Sequence, residues 1–513
     1  MYNYLVCNKF SGIHRQNSSF SAKSISASDL QNVELFPTGV NSGIGIRSSK
    51  GNTAVCDLIP QGEFVIDIFQ SVQNGIYHFF VYTESESQGK LYLFNKNDNT
   101  LSLIKDSLSV TSQASACDFA QGFSDLFLFS NGVDFFSVQL TPQPVVNSIS
   151  ALDSLERPVK GLGLVNFDGR VWIFDKNILR YSVKEDFDDF ATSDSDILTS
   201  AGYIEYPKNI TAICPFSGSL IVFFSDASVI LSPPYPFSQS KQIPAGCVGL
   251  NALTLHDTQL FFYDNTKNSV FSFKQIPDGD ISLQSNIAVD LQKEFFDVPK
   301  SIASKIQACS VITQDKNEIW WLLPSTELDP LGNSLSTTLI FDYNYKEWLK
   351  RKSQKISCVR LINHTLFSAY SKIYQEYLSN SFDNLFIPSF YNCSPINFGS
   401  DNVIKILYYP PKLTLDLNYS NDFFVKYIKN HDIFNRIISK HIKSKFLFNV
   451  LYYDIGSYDS IYHYPPDKAN SLATLPPTSF KILEMQFFTS SSGQEFAIKN
   501  LEFHRVKSKS SSS

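Results

Sequence analysis

The feature that most constrains this chain is a hairpin that keeps returning. An apolar run, a short polar turn and a second apolar run recur through the middle of the sequence. The copies read GIYHFFVYTESESQGKLYLFN from Gly75, DLFLFSNGVDFFSVQ from Asp125, GRVWIFDKNILRYS from Gly169, GSLIVFFSDASVILS from Gly218 and TQLFFYDNTKNSVFSF from Thr258. NEIWWLLP from Asn317, followed later by TLIFDYNYKEWLKR, and HTLFSAYSKIYQEY from His364 complete the series. The turns carry residues that tolerate tight hairpin geometry: Ser130-Asn131-Gly132, Asp175-Lys176-Asn177 and Asp226-Ala227-Ser228. The copies start about 48 residues apart on average, near the ~40–50 residues of a four-stranded propeller blade. Weaker strands between the hairpins, such as SVITQ from Ser310, fill out each blade. A β-sandwich also shows short strands and turns, but regular spacing over roughly 300 residues favours the propeller.

The expected fold is therefore mainly all-β, a degenerate propeller of six or seven blades over residues 55–394. Before it, residues 1–54 are rich in Ser, Asn and Gly and read as an arm or extended docking segment that needs a neighbour to be ordered. After it, residues 395–507 read as a small C-terminal β-rich domain. Its strands are KILYYPPKLTLDLNYSNDFFVKYI and SFKILEMQFFTSSSGQEFAIKNLEFHRV, the latter with a turn at Ser490–Gly493. Between them, Ile433, Ile437, Ile438 and Ile442 recur every three or four residues and predict one amphipathic helix. Residues 508–513 read as a disordered tail.

Composition fits this reading. Hydrophobic residues make up 43% of the chain, with 44 Phe and 25 Tyr but only 2 Met, a balance suited to pleated surfaces. Charged residues reach only 18%, as expected of a surface that lives in an assembly, although a codon bias toward Asn, Lys, Ile, Phe and Tyr gives the same numbers. Cys7, Cys56, Cys117, Cys214, Cys247, Cys309, Cys358 and Cys393 form no CxxC motif, and ITAICPF around Cys214 reads as a core thiol. That points to assembly in a cytoplasm rather than to a secreted disulfide scaffold. The first residues lack a signal-peptide pattern, and no 18-residue apolar run predicts membrane insertion.

The net charge of −6 hides an asymmetry. Residues 1–54 carry 5 basic against 2 acidic side chains, and residues 395–513 carry 14 against 10. The middle then holds 24 against 37, a charge of −13 that repels phosphate.

No catalytic constellation emerges. HExxH, GxSxG and GxxxxGK are absent, and no cofactor is expected. GLGLVNFDG from Gly161 begins like a dinucleotide fingerprint but lacks the third glycine and runs into a hairpin. The eight histidines, His14, His78, His256, His364, His431, His441, His463 and His504, do not sit at metal-ligand spacing. Trp172, Trp320, Trp321 and Trp348 could stack sugars, yet their strand positions favour packing. The run KEDFDDFATSDSD holds Glu185, Asp186, Asp188, Asp189, Asp194 and Asp196 without an EF-hand glycine or closing Glu, so a solvated loop outweighs a calcium site.

Three stretches resemble a family. ASDLQNVELFPTGVNSGIGIRSSKGN, with Asn32, Gly39, Gly43, Arg47 and Gly51, resembles the opening of podovirus tail proteins. GRVWIFDKNILRYSVKEDFDDF, with Tyr181, Ser182, Asp186, Asp189 and Phe190, is similar to their hairpin followed by an acidic, aromatic loop. LIFDYNYKEWLKR, with Trp348 and Arg351, is similar to a strand they repeat. The family is that of packaged-DNA stabilisation or tail nozzle proteins of short-tailed phages, akin to tail tubular protein B. The resemblance implies a non-enzymatic virion tail protein forming a homo-oligomeric ring, a hexamer, below the portal adaptor and above a distal needle, fibre or spike. Such a ring retains packaged DNA and conducts it during ejection without binding it specifically. On that reading Glu185, Asp186, Asp188, Asp189, Asp194 and Asp196 are candidate channel-facing acids. Asn32, Gly39, Gly43, Arg47 and Gly51 are candidate docking residues. The alternatives are a glycan-binding or glycan-cleaving tail-spike propeller, which needs paired carboxylates in a pocket, and a cellular propeller scaffold.

Overall fold

The structure is a computed structural model. It describes residues 2–7, 9–14, 24–38, 43–121, 124–140, 144–192, 199–234, 236–324, 334–394, 404–407, 412–416, 421–429, 437–443, 478–480, 483–491 and 494–509. The chain divides into two units: residues 53–338 with 354–376, and residues 1–52 with 339–353 and 377–513.

Seven four-stranded sheets follow one another along the chain, giving a seven-bladed β-propeller. Six blades take their strands in sequence order. The seventh is Cys358–Ile362, Thr365–Ala369 and Ile373–Glu376, completed by Asn52–Cys56 from before the first blade. The ring is thus closed by a strand from the start of the repeat region, which ties the first and last blades by backbone hydrogen bonds rather than by packing alone. Each recurring hairpin read from the sequence is the second and third strand of a blade. The exception is the sixth, where NEIWWLL is the second strand and the later hairpin spans the third and fourth.

The first strand of each blade lies innermost, because first strands of neighbouring blades touch one another: Ser115–Gln121 meets Leu162–Phe167, Gln307–Ile312 meets Cys358–Ile362, and Cys358–Ile362 meets Phe64–Gln73. Blades pack face to face through aromatic rings. Phe80 stacks on Phe127 with centroids 4.0 Å apart, and Phe223 meets Phe262 at 5.0 Å. A blade covered on both faces needs apolar side chains on both, which is why Ser219–Phe224 reads SLIVFF and is buried at every position. Trp172, Trp320, Trp321 and Trp348 are all buried, as their strand positions predict. Gly161 opens the strand Leu162–Phe167 rather than a phosphate loop, and a Cβ there would lie 2.0 Å from the Phe174 carbonyl oxygen.

The other unit is built on one 13-stranded sheet. Its path runs Ile437–Lys443, Asp422–Lys429, Leu483–Phe488, Phe390–Cys393, Ser24–Gln31, Lys9–Ile13, Ile44–Ser48, Ala497–Lys509, Ile404–Leu407, Thr478–Phe480. Tyr2–Cys7 and Lys412–Leu415 also pair with Ala497–Lys509, and Val33–Pro37 pairs with Ile44–Ser48. The first residues and the C-terminal strands therefore share one sheet instead of forming a separate arm and domain. Lys9–Ile13 runs parallel to Ser24–Gln31, and Tyr391 ties that pair by donating its hydroxyl toward the Ser11 and Ile25 carbonyl oxygens at 2.9 and 2.8 Å.

The helix expected near Ile437 is a strand. Ile437–Lys443 pairs antiparallel with Asp422–Lys429, placing Ile442 opposite Phe423 and Ile438 opposite Tyr427. A spacing of four satisfies both periods: Ile438 and Ile442 share a helical face, but they also share one face of a strand. The backbone pairing with Asp422–Lys429 along the whole segment decides for the pleat. Ile433 lies outside the described residues. The one α-helix among the described residues is the single turn Gln292–Phe296, in the propeller unit. The last strand reaches Lys509, and residues 510–513 lie outside the described residues.

Candidate functional site

The acidic loop joins Ile178–Tyr181 to Gly202–Glu205, the third and fourth strands of the third blade, so it belongs to the blade's outer half. It is organised around a buried cation. Arg170 is fully buried and donates from Nη1 to the carbonyls of Ser182 (2.8 Å), Thr199 (3.1 Å) and Ser200. The Ser182 hydroxyl takes the Val171 amide at 3.0 Å, and Phe190 is buried. Asp189 caps its own turn, its Oδ1 accepting the Ala191 and Thr192 amides, both at 2.9 Å. Burial opposes ionisation of Asp189, but the hydrogen bonds from Thr192 and Ala191 outweigh it and hold the carboxyl below its ordinary range. Asp188 goes the other way. Burial, then a hydrogen bond and like charge from Asp186, push its carboxyl up to about 6. Glu185 and Asp188 are exposed and Asp186 is half-buried, while Asp194 and Asp196 lie outside the described residues.

The candidate docking residues use their polar groups within their own unit. Asn32 is buried with a positive φ of 52°. Its amide reaches the Lys350 carbonyl at 2.8 Å, and its Oδ1 accepts the Lys352 amide at 2.8 Å. Arg47 pairs with Glu34 through Nε at 3.1 Å and Nη2 at 3.0 Å. The Gly51 amide meets the Ser379 carbonyl at 2.6 Å, and a Cβ on Gly51 would sit 2.0 Å from the Ser381 carbonyl oxygen, so only glycine fits. The Gly43 carbonyl accepts the Thr38 amide at 3.0 Å; Gly39 lies outside the described residues. Arg351 donates to the Ser49 hydroxyl and the Lys50 carbonyl, both at 2.6 Å, and stacks over Phe382 at 4.6 Å. Two stretches about 300 residues apart in the chain, carrying Asn32, Arg47 and Gly51 on one side and Trp348 and Arg351 on the other, thus meet in one network.

The propeller axis holds a charged pair that the sequence reading did not single out. Asp67, on the innermost strand of the first blade, is 1% exposed and accepts Arg360 Nη2 at 2.6 Å from the innermost strand of the seventh. Asn251, at the start of the fifth blade, donates to the same carboxylate at 3.2 Å. Burial pushes the Asp67 carboxyl up, and Arg360, the Ile68 amide and Asn251 push back. A side chain from the fifth blade reaches one from the first, so the axis is filled at this level. The signal was present: Asp67 and Arg360 are lone charges inside the apolar runs FVIDIF and CVRLI.

Where the innermost strands begin, a cavity of about 380 Å³ opens, lined by residues of the first, second, fifth, sixth and seventh blades. Its apolar part includes Phe64, Ile302, Leu322, Ile356 and Tyr370, and its polar part Gln113, Ser304, Lys305, Gln307 and Lys355. Phe64 is 40% exposed and stacks on Tyr370 with centroids 4.7 Å apart and planes 16° apart. Among the described residues no group of three His, Cys, Asp or Glu is arranged to hold a metal ion, and the cysteines described are free thiols.

The fold and this axial site define a seven-bladed β-propeller protein joined to a large mixed-sheet unit. No family model and no curated protein matches the chain. Solved propellers do. A streptogramin B lyase is 11% identical over 67% of this chain and 96% of its own, with a TM-score of 0.36. A virginiamycin B lyase from Staphylococcus aureus is 12% identical over 60% of this chain and 92% of its own, with a TM-score of 0.37.

Proposed function

We propose that this chain is a virion structural protein, the subunit of a tail nozzle ring that retains packaged DNA and conducts it during ejection. The observation that carries this reading is the chain's architecture. The propeller is closed by the strand Asn52–Cys56, and strands from both ends of the chain share one sheet of the other unit. That is an arrangement for rigid walls and docking rather than for turnover. It is supported by the resemblance of the stretches around Asn32, Tyr181 and Trp348 to short-tailed phage nozzle proteins. The filled axis adds a constraint: duplex DNA, whose major groove alone is about 12 Å wide, does not pass through a propeller plugged by Asp67, Arg360 and Asn251. The conduit is then formed between subunits, with the acidic middle of the chain repelling phosphate.

The test is electron microscopy of the purified chain with its adaptor ring, and of virions carrying antibody against it. A six-fold ring below the portal, with label at the tail, is the expected result. Absence from particles overturns the reading, and depolymerisation of surface polysaccharide by the isolated chain replaces it with the glycan-active alternative.

A further inference from the structure

The axial cavity has a chemistry of its own, independent of ring assembly. Its volume, about 380 Å³, falls in the range of small-molecule sites. One wall is the stacked pair Phe64 and Tyr370, with Phe64 40% exposed. Lys355 is held at that wall: its Nζ donates to the Tyr370 hydroxyl at 2.9 Å and lies 4.3 Å from the ring centre. Lys305 lines the same cavity. Both lysines lack a carboxylate partner among the described residues, unlike Lys90, Lys208, Lys241 and Lys316, which pair with Glu63, Asp226, Asp280 and Glu318.

Among the described residues no aspartate or glutamate lines the cavity. Two described acids next to lining residues in the sequence are already committed. Glu63 accepts from Lys90, Thr83 and Tyr92, and Asp67 is held by Arg360. The described lining therefore carries two lysines and no acid, although the surrounding stretch of chain is acidic. Gln113, Ser304 and Gln307 add hydrogen-bonding groups at the rim.

We propose that this cavity binds one small organic anion: an aromatic body against Phe64 and Tyr370, with a single carboxylate or sulfonate between Lys305 and Lys355. An anion is selected because two lysines without a carboxylate partner among the described residues line it. An aromatic body is selected because a flat ring pair forms the wall and the open cavity holds a body of about that size.

Two fluorescent probes of the same shape test this on the full chain. 8-Anilinonaphthalene-1-sulfonate carries the anion, and N-phenyl-1-naphthylamine lacks it. The sulfonate is expected to bind one to one, about tenfold more tightly than the neutral probe, and to weaken as salt rises. Lys305→Gln and Lys355→Gln each weaken the sulfonate about fivefold and leave the neutral probe unchanged. Gln113→Trp, which fills the space, removes both probes. The preference between probes is read on the unmodified chain, so it holds even if a variant fails to fold. Equal affinity for both probes, no saturable binding, or sulfonate binding that survives both lysine changes overturns the proposal. So does sulfonate binding that persists in folded Gln113→Trp.

Discussion

The two units of this molecule are both β, yet they solve the problem of strand pairing in opposite ways. In the propeller, three strands out of four in the last blade, and all four in every other blade, come from one short stretch of chain. In the sheet unit the neighbours are remote: Tyr2–Cys7 lies against Ala497–Lys509, and Ser24–Gln31 against Phe390–Cys393. Local pairing costs little loop-closure entropy, whereas pairing across nearly the whole chain carries that cost before any contact forms. Among the described residues the propeller makes one such long-range pairing, Asn52–Cys56 on the seventh blade, and it closes the ring.

The closing strand offers the strongest way to break this comparison. Removing residues 1–51 deletes strands of the large sheet but keeps all of Asn52–Cys56. Removing residues 1–57 deletes that strand as well. The longer deletion is expected to cost the propeller about 5 kcal/mol or more, a large share of a domain's total stability, while the shorter one leaves its transition in place. Urea unfolding followed by the fluorescence of Trp172, Trp320 and Trp321 measures both. Equal midpoints would show that packing between blades, not strand closure, holds the ring.

The axial ion pair tests whether the ring is also held from inside. Arg360→Met leaves the Asp67 carboxylate buried without its cation, at a cost of about 3–5 kcal/mol at pH 7. The sign with pH follows from the same carboxyl. Burial already raises it in the folded state, and without Arg360 it rises further. Its folded value then exceeds its unfolded one, so stability is fully present below the unfolded value and is lost as pH rises through the folded one. The deficit of Arg360→Met is therefore largest at pH 7 and shrinks toward pH 4. Urea midpoints at the two pH values report it, and a deficit that does not change with pH refutes the assignment.

What could be read from the sequence follows the same division. Each hairpin was visible because its two strands and turn lie within about 15–20 residues, and because two covered faces demand continuous apolar runs such as SLIVFF. The large sheet was not visible, since nothing local in YNYLVC announces a partner near residue 503. The helix error at Ile437 has the same origin: a spacing of four is ambiguous until the partner strand Asp422–Lys429 is known. The axial pair was legible as two misplaced charges, but their meeting is a property of the closed ring. The cavity was not legible, because five blades contribute to it.

A smaller effect probes the sheet unit. Tyr391 is fully buried, packs edge-on against Phe10 at 5.7 Å, and serves the Ser11 and Ile25 carbonyls with one hydroxyl. Tyr391→Phe keeps the ring and removes the hydrogen bonds, at an expected cost of about 1–2 kcal/mol. The long-range sheet should feel this while the propeller does not. Amide exchange in Lys9–Ile13 and Ser24–Gln31 is expected to speed up, with the blades unchanged. Exchange that speeds equally in both units would mean that they unfold as one.

The smallest effect lies on the outer half of a blade, where two adjacent acids are tuned in opposite directions. Burial and Asp186 raise Asp188 to about 6, so its folded value lies above the unfolded one. The stability it allows is complete below the unfolded value and is lost as pH rises through 6. Asp188→Asn removes that loss and stabilises the chain at pH 7, by no more than about 1 kcal/mol because the side chain is largely open to solvent screening. At pH 4 the two proteins should match. Asp189 has the inverse sign. Its lowered carboxyl contributes above the unfolded value and loses that contribution as pH falls, so Asp189→Asn destabilises at pH 7 and is neutral in strong acid. Thermal midpoints of both variants across pH 2 to 7 check the pair. Two neighbours moving in the same direction would show that loop charge alone sets the response, without the amide bonds to Asp189 or the contact between Asp188 and Asp186.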